Sequence, residues 1–266
     1  MNNLVLGKYI PINSPIHKLD PRGKIAVLFV MIVAIFVANS WYSYLALGIV
    51  ILFVIILAHI KLSMILKALK PTVVMMIMLL IINCLTVRTG TIVINILGLD
   101  IYSDALLNTL FIALRLLLMI MITTTLTATT KPLDLTLGIE SLLSPLKIFH
   151  FPYHEVAMMI SIALRFIPTI IEETMRIMNS QKSRGVDFEE GKLNEKITAI
   201  LSLIIPLFTV AFQRAYELAD AMEARGYIPD KERTRYHVLK FTYKDVLFIV
   251  IANIILVLSI LSRIYL

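Results

Sequence analysis

Residues 104–126 read DALLNTLFIALRLLLMIMITTTL, a run in which Arg115 is the only charge after the opening aspartate. An α-helix needs about 20 mostly apolar residues to cross roughly 30 Å of hydrocarbon. The 266-residue chain shares this character, since 59% of its residues are hydrophobic, only 16% are charged and its mean hydropathy is +0.87. A membrane β-barrel shows alternating segments of about ten residues, whereas the apolar runs here are continuous. The sequence therefore predicts an all-α membrane protein.

Helix-start signals divide the apolar runs into five predicted membrane spans. Asp20 followed by Pro21 is typical of an N-cap with proline at the first helical position. Pro71 and Ser103 mark two further starts, and Thr242 with an acidic residue three positions later marks the last. The uncharged aromatic segment 39–43 is typical of a turn at the membrane interface. The predicted spans are residues 21–38, 44–60, 71–87, 104–126 and 243–262.

The positions of the basic residues predict how these spans are oriented. With a cytoplasmic N-terminus, the inner segments hold most of the Lys and Arg residues, and the stretch 127–245 alone holds fifteen. The predicted outer segments carry only Arg88 and, near the C-terminus, Arg263. This asymmetry follows the positive-inside rule. The net charge of +7 is thus explained by topology in a lipid bilayer and does not indicate a nucleic-acid partner.

Three regions follow from this topology. Residues 1–126 hold spans one to four, residues 127–241 form a cytoplasmic region of long helices that includes a short amphipathic stretch at 133–146, and residues 242–266 hold the final span. Two apolar stretches, 156–171 and 197–212, leave an alternative open, because they can be counted as a sixth and a seventh span. Each is short and continues without a turn into a charged helix, so we expect cytoplasmic helices that graze or partly enter the membrane. In the outer loop, alternating apolar residues around Leu97 and Gly98 weakly predict a β-hairpin.

One pattern occurs twice within the cytoplasmic region. The segments SIALRFIPTIIEETMRIMNSQKSRG (161–185) and ITAILSLIIPLFTVAFQRAYELADAMEARG (197–226) each hold an Ile-Pro pair, an amphipathic stretch and a small residue followed by Arg-Gly. Each carries one apolar stripe at helical spacing, and a polar face lies opposite the second. We expect the helices to pack on each other or on span ends through the stripes. The stripes are Leu164, Ile167, Ile171, Met175 and Met178, then Phe208, Phe212, Ala215, Ala219 and Met222.

Two interpretations of the Arg-Gly pairs are compatible with the sequence. In the first, glycine ends the helix in a left-handed conformation and arginine suits the negative end of the helix dipole. In the second, the pairs are docking tips whose guanidinium binds a partner carboxylate in a bidentate manner. Small neighbours, Ser183 and Ala224, would let a partner groove approach closely. Duplication within about 40 residues favours the second interpretation, because a partner with two equivalent grooves needs two equivalent tips.

The chain resembles the transmembrane T component of energy-coupling factor (ECF) transporters, the cobalt-transport CbiQ-like family. The resemblance covers most of the chain, and the paired motif on two long helices is its specific part. The family's two Ala-Arg-Gly motifs match Ser183-Arg184-Gly185 and Ala224-Arg225-Gly226, with serine in place of one alanine. Its best markers are LTLGIESLLSPLKIF (135–149), SIALRFIP (161–168), QKSRG (181–185) and AMEARGY (221–227).

The resemblance implies a bacterial plasma-membrane subunit without a catalytic site or cofactor of its own. In the family, two ATP-binding subunits form a dimer, and each accepts one helix tip. A small membrane protein, the S component, captures a vitamin or metal ion. Our hypothesis is that closure of the ATPase dimer moves Arg184 and Arg225, and that the long helices carry this motion to the S component. The different residues after the two glycines, Val186 and Tyr227, suit two non-identical ATPase subunits.

Other functions have weaker support in the sequence. No glycine begins a Walker A pattern, so we expect ATP to be hydrolysed by partners. A secondary transporter or channel is the main alternative, yet four of the five spans carry almost no ionisable residue and no broken helices occur in two matching halves. An intramembrane enzyme is not supported, because the sequence shows neither a convincing nucleophile–base pair nor a metal cluster. The sequence leaves two roles open for Arg115 within span four. It has either a functional role, such as pairing with a partner's acidic group, or a structural role, through a helix carbonyl or a polar seam.

Overall fold

The computed structural model describes residues 9–96, 99–149, 152–188, 192–228 and 239–265. These residues form eight α-helices, one two-stranded hairpin and a 3-10 helix at Ser144–Phe149. The predicted all-α membrane class is thus confirmed. The helices are α1 (Pro21–Val37), α2 (Trp41–Leu57), α3 (Leu62–Thr86), α4 (Ser103–Thr129), α5 (Pro132–Leu143), α6 (Tyr153–Ser183), α7 (Leu193–Ala224) and α8 (Tyr243–Tyr265), and the strands are β1 (Ile92–Ile96) and β2 (Leu99–Tyr102).

Two predicted helix starts are confirmed in atomic detail. The Asp20 carboxylate accepts a hydrogen bond of 2.8 Å from the backbone N–H of Arg22, and Pro21 opens α1. At the start of α8, the Asp245 carboxylate accepts a hydrogen bond of 2.7 Å from the backbone N–H of Thr242. Side chains of this type satisfy N–H groups that have no partner within the helix.

Three other predicted starts or ends are wrong. Helix α2 begins at Trp41, because Ser40 caps it through the backbone N–H of Ser43. Pro71 does not open a helix but lies inside α3, which begins at Leu62. Helix α4 continues through the threonine run to Thr129. The threonine hydroxyls there donate to backbone carbonyls four residues back, including Thr125 to Met121 at 2.8 Å, so they stay compatible with the helix.

The outer hairpin is confirmed as an antiparallel pair. Its register sets Ile94 opposite Ile101 and Ile96 opposite Leu99, while Leu97 and Gly98 at the predicted turn lie outside the described residues. Gly90, just before β1, has a φ of +95°, and a Cβ there would lie 2.4 Å from Ser103 Oγ. Glycine is therefore needed where the chain turns back against the start of α4.

The helices fall into two compact units, one made of α1–α5 and α8 and the other of α6 and α7. In the first unit, α1 is central and packs against α4, α5 and α8. Its core includes Ile35, Leu47 and Ile51, which are fully buried. Helix α3 packs on α4 but presents large apolar side chains outward, such as Val74 and Met78 at 71% and 63% exposure. An outward apolar surface of this kind suits lipid rather than water.

Within the described residues, five helices are long and apolar enough to cross a bilayer by length and composition: α3, α4, α6, α7 and α8. Helices α1 and α2, which correspond to the first two predicted spans, have 17 residues each, at the short end of what a bilayer requires. Length and composition alone thus allow α6 and α7 to cross as well. The cytoplasmic assignment of 156–171 and 197–212 stays a prediction, as does the three-region division of the chain.

Candidate functional site

The first Arg-Gly pair ends α6 in a complete Schellman motif. Gly185 has a φ of +87°, which is the left-handed conformation that glycine adopts without steric cost. Its backbone N–H donates to the carbonyl of Lys182 at 3.0 Å, and the N–H of Val186 donates to the carbonyl of Gln181 at 3.1 Å. These two bonds satisfy carbonyls that the end of the helix leaves without partners.

The second pair ends α7 with the same motif. Gly226 has a φ of +72°. Its N–H donates to the carbonyl of Glu223 at 2.8 Å, and the N–H of Tyr227 donates to the carbonyl of Met222 at 3.0 Å. The helix-termination interpretation is therefore confirmed at both sites. It does not compete with docking, because the same cap fixes where each preceding arginine leaves the helix.

Both tips are open at their ends. Ser183, Arg184, Gly185, Ala224, Arg225 and Gly226 are all exposed. Among the residues that the structure describes, and leaving aside the chain neighbours, nothing lies within 4 Å of a Cβ added at either glycine. Within the part of the chain that the structure describes, neither Arg184 nor Arg225 has a side-chain hydrogen bond or ion pair. Each guanidinium thus keeps its five N–H donors for solvent or for a partner.

The residues flanking the arginines leave the tips small and partly apolar. The Ser183 hydroxyl donates to the carbonyl of Asn179 at 3.1 Å, so serine in place of alanine adds no unsatisfied polar group. Val186, Phe188 and Tyr227 are partly buried beside the tips. Each tip therefore presents one exposed guanidinium at the end of its helix.

Helices α6 and α7 run antiparallel, and two side-chain hydrogen bonds join them within the described part of the chain. Arg214 on α7 donates to the Glu173 carboxylate on α6 at 2.8 Å, and the Gln181 amide donates to the carbonyl of Ser202 at 3.3 Å. From the first contact to the second, the residue number rises along α6, from 173 to 181, and falls along α7, from 214 to 202, so the two helices are antiparallel. Arg176 also approaches Glu173, at 3.6 Å, from one turn further along α6. The sequence pattern does not single out Glu173, because its partner on α7 lies 41 residues away in the chain.

The apolar stripe expected to pack α7 instead faces outward. Phe208 and Phe212 are 61% and 60% exposed, with ring centroids 6.1 Å apart. The less exposed face of the same region passes through Val210, Arg214 and Leu218, at steps of four residues. Helical periodicity marks an apolar face but does not show what covers it, so it did not identify the packed face of α7. On α6 the expected stripe is mostly half-buried, with Ile167 as its exposed member.

A family model described as CbiQ, cobalt transport protein, matches residues 12–236 of the chain. The chain belongs to this family. Three relatives carry the name energy-coupling factor transporter transmembrane protein EcfT. They come from Bacillus subtilis (42% identical over 94% of each chain), Lactococcus lactis subsp. cremoris (41% over 98% of each) and Listeria innocua (39% over 92% of each). Family membership, bacterial relatives and five helices of sufficient length together make this a multi-pass protein of the bacterial plasma membrane.

Arg115 has a structural role in this CbiQ-family chain. Its guanidinium donates to the Tyr44 hydroxyl at 3.1 Å and to the carbonyl of Ala38 at 3.5 Å, and it lies 5.7 Å from the Phe36 ring centroid. The carbonyl of Ala38 belongs to the residue after α1, so the arginine connects the ends of α1 and α2 to the middle of α4. This agrees with the helix-carbonyl and polar-seam interpretation.

No described group of three or more His, Cys, Asp or Glu side chains is arranged to hold a metal ion. In this CbiQ-family protein, Arg184 and Arg225 are exposed cations that lie at helix ends of the same geometry.

Proposed function

We propose that this chain is the transmembrane energy-coupling subunit of an ECF-type ABC importer for vitamins or other micronutrients. It links a cytoplasmic dimer of ATP-binding subunits to a substrate-capturing S component. The observation that carries the proposal is the repeated tip, in which an exposed arginine precedes a left-handed glycine at the ends of both α6 and α7.

The geometry of the tips suits two equivalent grooves. An arginine at a helix end presents a planar fork that matches a carboxylate in two hydrogen bonds. The same Schellman motif at both sites gives each fork the same backbone support, as a dimeric partner requires. The differing neighbours, Val186 and Tyr227, favour two non-identical ATPase subunits.

The remaining roles are assigned to partners. We infer from the family that ATP hydrolysis takes place in the docked subunits, and that this chain is non-catalytic and needs no cofactor. The S component, which carries a vitamin or metal ion, would contact the outward apolar surface of the helices within the lipid bilayer. Closure of the ATPase dimer would move Arg184 and Arg225, and α6 and α7 would transmit that displacement.

The test is recovery of partners with the tagged chain from its native membrane. We compare the wild type with Arg184→Glu/Arg225→Glu and identify the co-purified proteins. A desolvated charged contact at an interface contributes about 2 kcal/mol or more, so each reversal should weaken docking by roughly 30-fold or more. We expect ATP-binding subunits with the wild type and none with the variant.

A matched control separates docking from net charge. Lys192→Glu/Lys240→Glu reverses two exposed cations outside the tips and changes the net charge by the same amount. Recovery of the ATPase subunits should be unchanged with it, and Arg184→Lys/Arg225→Lys should fall between, because lysine cannot form the fork. Undiminished ATPase recovery with the glutamate variant would rule out the docking role of the tips.

A further inference from the structure

The ion pair between Glu173 and Arg214 has a position that the tips alone do not explain. Its shorter N–O distance is 2.8 Å, and its side chains are 16% and 31% exposed. It joins α6 to α7, whereas the third member of the group, Arg176, is 75% exposed and 3.6 Å away. Of the two arginines beside Glu173, Arg214 is therefore the closer and the less exposed partner.

The ion pair is equally distant from both tips along the chain. Arg184 lies eleven residues after Glu173, and Arg225 lies eleven residues after Arg214. At a rise of 1.5 Å per residue, each helical arm from the ion pair to its arginine is about 16 Å long. Because the helices are antiparallel, the arms point in opposite directions and the tips lie on the order of 30 Å apart. The proline in each helix precedes its arm, so both arms are free of helix breaks.

Glu173 and Arg214 also occupy equivalent positions in the repeated pattern, counted back from each Arg-Gly. In an antiparallel pair of equivalent helices, the crossing point brings equivalent positions together. Identical charges at such a point would repel, and here an acid on α6 meets a base on α7. The repeat therefore differs in charge at the position where its two copies meet.

We propose that the Glu173–Arg214 ion pair is the pivot of the α6–α7 pair, fixing the distance between the two tips and keeping their arms equal. Both are positioning residues, since neither belongs to a tip. What the tips dock on rests on the proposed function, but the distance between them does not. Without the pair, α6 and α7 keep only the Gln181–Ser202 contact among the side-chain hydrogen bonds joining them in the described residues.

The test is a distance measurement by pulsed electron–electron spin resonance on the full chain in lipid nanodiscs. Spin labels are attached at Ser180→Cys and Ala221→Cys in a Cys84→Ser background. Both sites are exposed, and each lies seven residues beyond its member of the ion pair, which leaves the tips intact. Four variants are compared with the parent: Glu173→Arg, Arg214→Glu, the double charge exchange, and Arg176→Gln as a control.

We expect one narrow distance distribution in the parent and in Arg176→Gln. The two single reversals should broaden it or shift its maximum by several ångströms, and the double exchange should restore it. Equal distributions in all variants, or a double exchange that behaves like the single reversals, would overturn the pivot. The double exchange keeps the test decisive if a single reversal fails to fold.

A second readout separates this inference from the proposed function. ATPase recovery with Glu173→Gln should persist because each tip keeps its own arginine and Schellman motif, while ATP-driven uptake by the assembled transporter should fall because the distance between the tips is no longer fixed. If the tip reversals leave ATPase recovery intact, the docking function fails, yet the distances still decide whether the ion pair is the pivot.

Discussion

The carboxylate of Asp245, at the start of α8, accepts a hydrogen bond of 2.7 Å from the backbone N–H of Asp20, the N-cap of α1. Its other oxygen accepts from the backbone N–H of Thr242 at 2.7 Å. Asp245 is 2% exposed. One side chain therefore caps the last helix of the chain and holds its first helix in place, across 225 residues of sequence.

Replacing Asp245 should loosen α8 from α1. Asp245→Asn keeps the shape but removes the charge and turns one acceptor into a donor facing an N–H group. Hydrogen bonds to charged groups contribute about 1.5–3 kcal/mol, so we expect a loss of about 2 kcal/mol, and more for Asp245→Ala. Unfolding of the detergent-solubilised chain measures the change. Asp220→Asn, at an exposed site on α7, is the control, and equal stability of the two asparagine variants would contradict the shared-cap role.

Lys24 is a second buried residue with long-range hydrogen bonds, and it is 5% exposed. Its ammonium donates to the carbonyl of Thr129 at 3.0 Å and to that of His17 at 3.3 Å. Thr129 is the last residue of α4, where a cation also interacts favourably with the helix dipole. Lys24→Met removes the donor and leaves buried carbonyls unsatisfied, so the free energy of unfolding should fall by about 2 kcal/mol or more.

Lys18→Met is the control for this change, because Lys18 lies just before α1 and is exposed. Chemical unfolding in detergent, followed by the fluorescence of Trp41, compares the two variants with the parent. A Lys24→Met protein as stable as Lys18→Met would show that apolar packing replaces the ammonium without loss.

The glycines at the tips should be replaceable only by residues that accept a left-handed backbone. Alanine at Gly185 or Gly226 costs about 1–2 kcal/mol in this conformation, and asparagine costs less. We expect each alanine variant to open its Schellman motif. Hydrogen exchange of the Val186 and Tyr227 amides should then be at least about fivefold faster, since 1 kcal/mol changes an opening equilibrium by about that factor.

Asparagine at either glycine should retain most of this protection. Crowding does not confound the comparison, because no atom of the described residues beyond the chain neighbours lies within 4 Å of the added Cβ. Equal exchange for alanine and asparagine would indicate that the left-handed turn is not what holds the tip.

The features that the sequence predicted correctly are those with local causes. The caps of α1 and α8 depend on residues within three positions of one another, and the turn at each Arg-Gly depends on glycine alone. The hairpin was foreseen from alternating residues. The family resemblance, built on the same Arg-Gly pairs, was confirmed over most of the chain.

The features that the sequence did not predict have non-local or environmental causes. Proline favours a helix start, because in a helix interior it lacks an N–H and clashes with the carbonyl four residues back, yet Pro71 follows nine residues of α3. This local preference did not decide where α3 begins. The Phe208–Phe212 stripe has the period of a packed face, but that period does not distinguish a face packed within the chain from one exposed outside it. Glu173 and Arg214 are 41 residues apart, and only the eleven-residue spacing to each arginine links them in the sequence.

His17 should make the stability of the segment before α1 depend on pH. Its Nδ1 lies 2.7 Å from Ser14 Oγ and its Nε2 lies 3.0 Å from the carbonyl of Ile10. Burial lowers the pKa of His17 below its usual 6.5, and the charges of Lys24 and His59 act in the same direction, against the hydrogen bond to Ile10. The folded state therefore binds fewer protons than the unfolded state below about pH 6.5, and stability falls as the pH decreases.

Thermal unfolding in detergent between pH 7.5 and 5 should show a steeper loss for the parent than for His17→Gln, which removes the titration but can still donate and accept hydrogen bonds. Identical pH profiles for the two proteins would mean that His17 is protonated as readily in the folded chain as in the unfolded one.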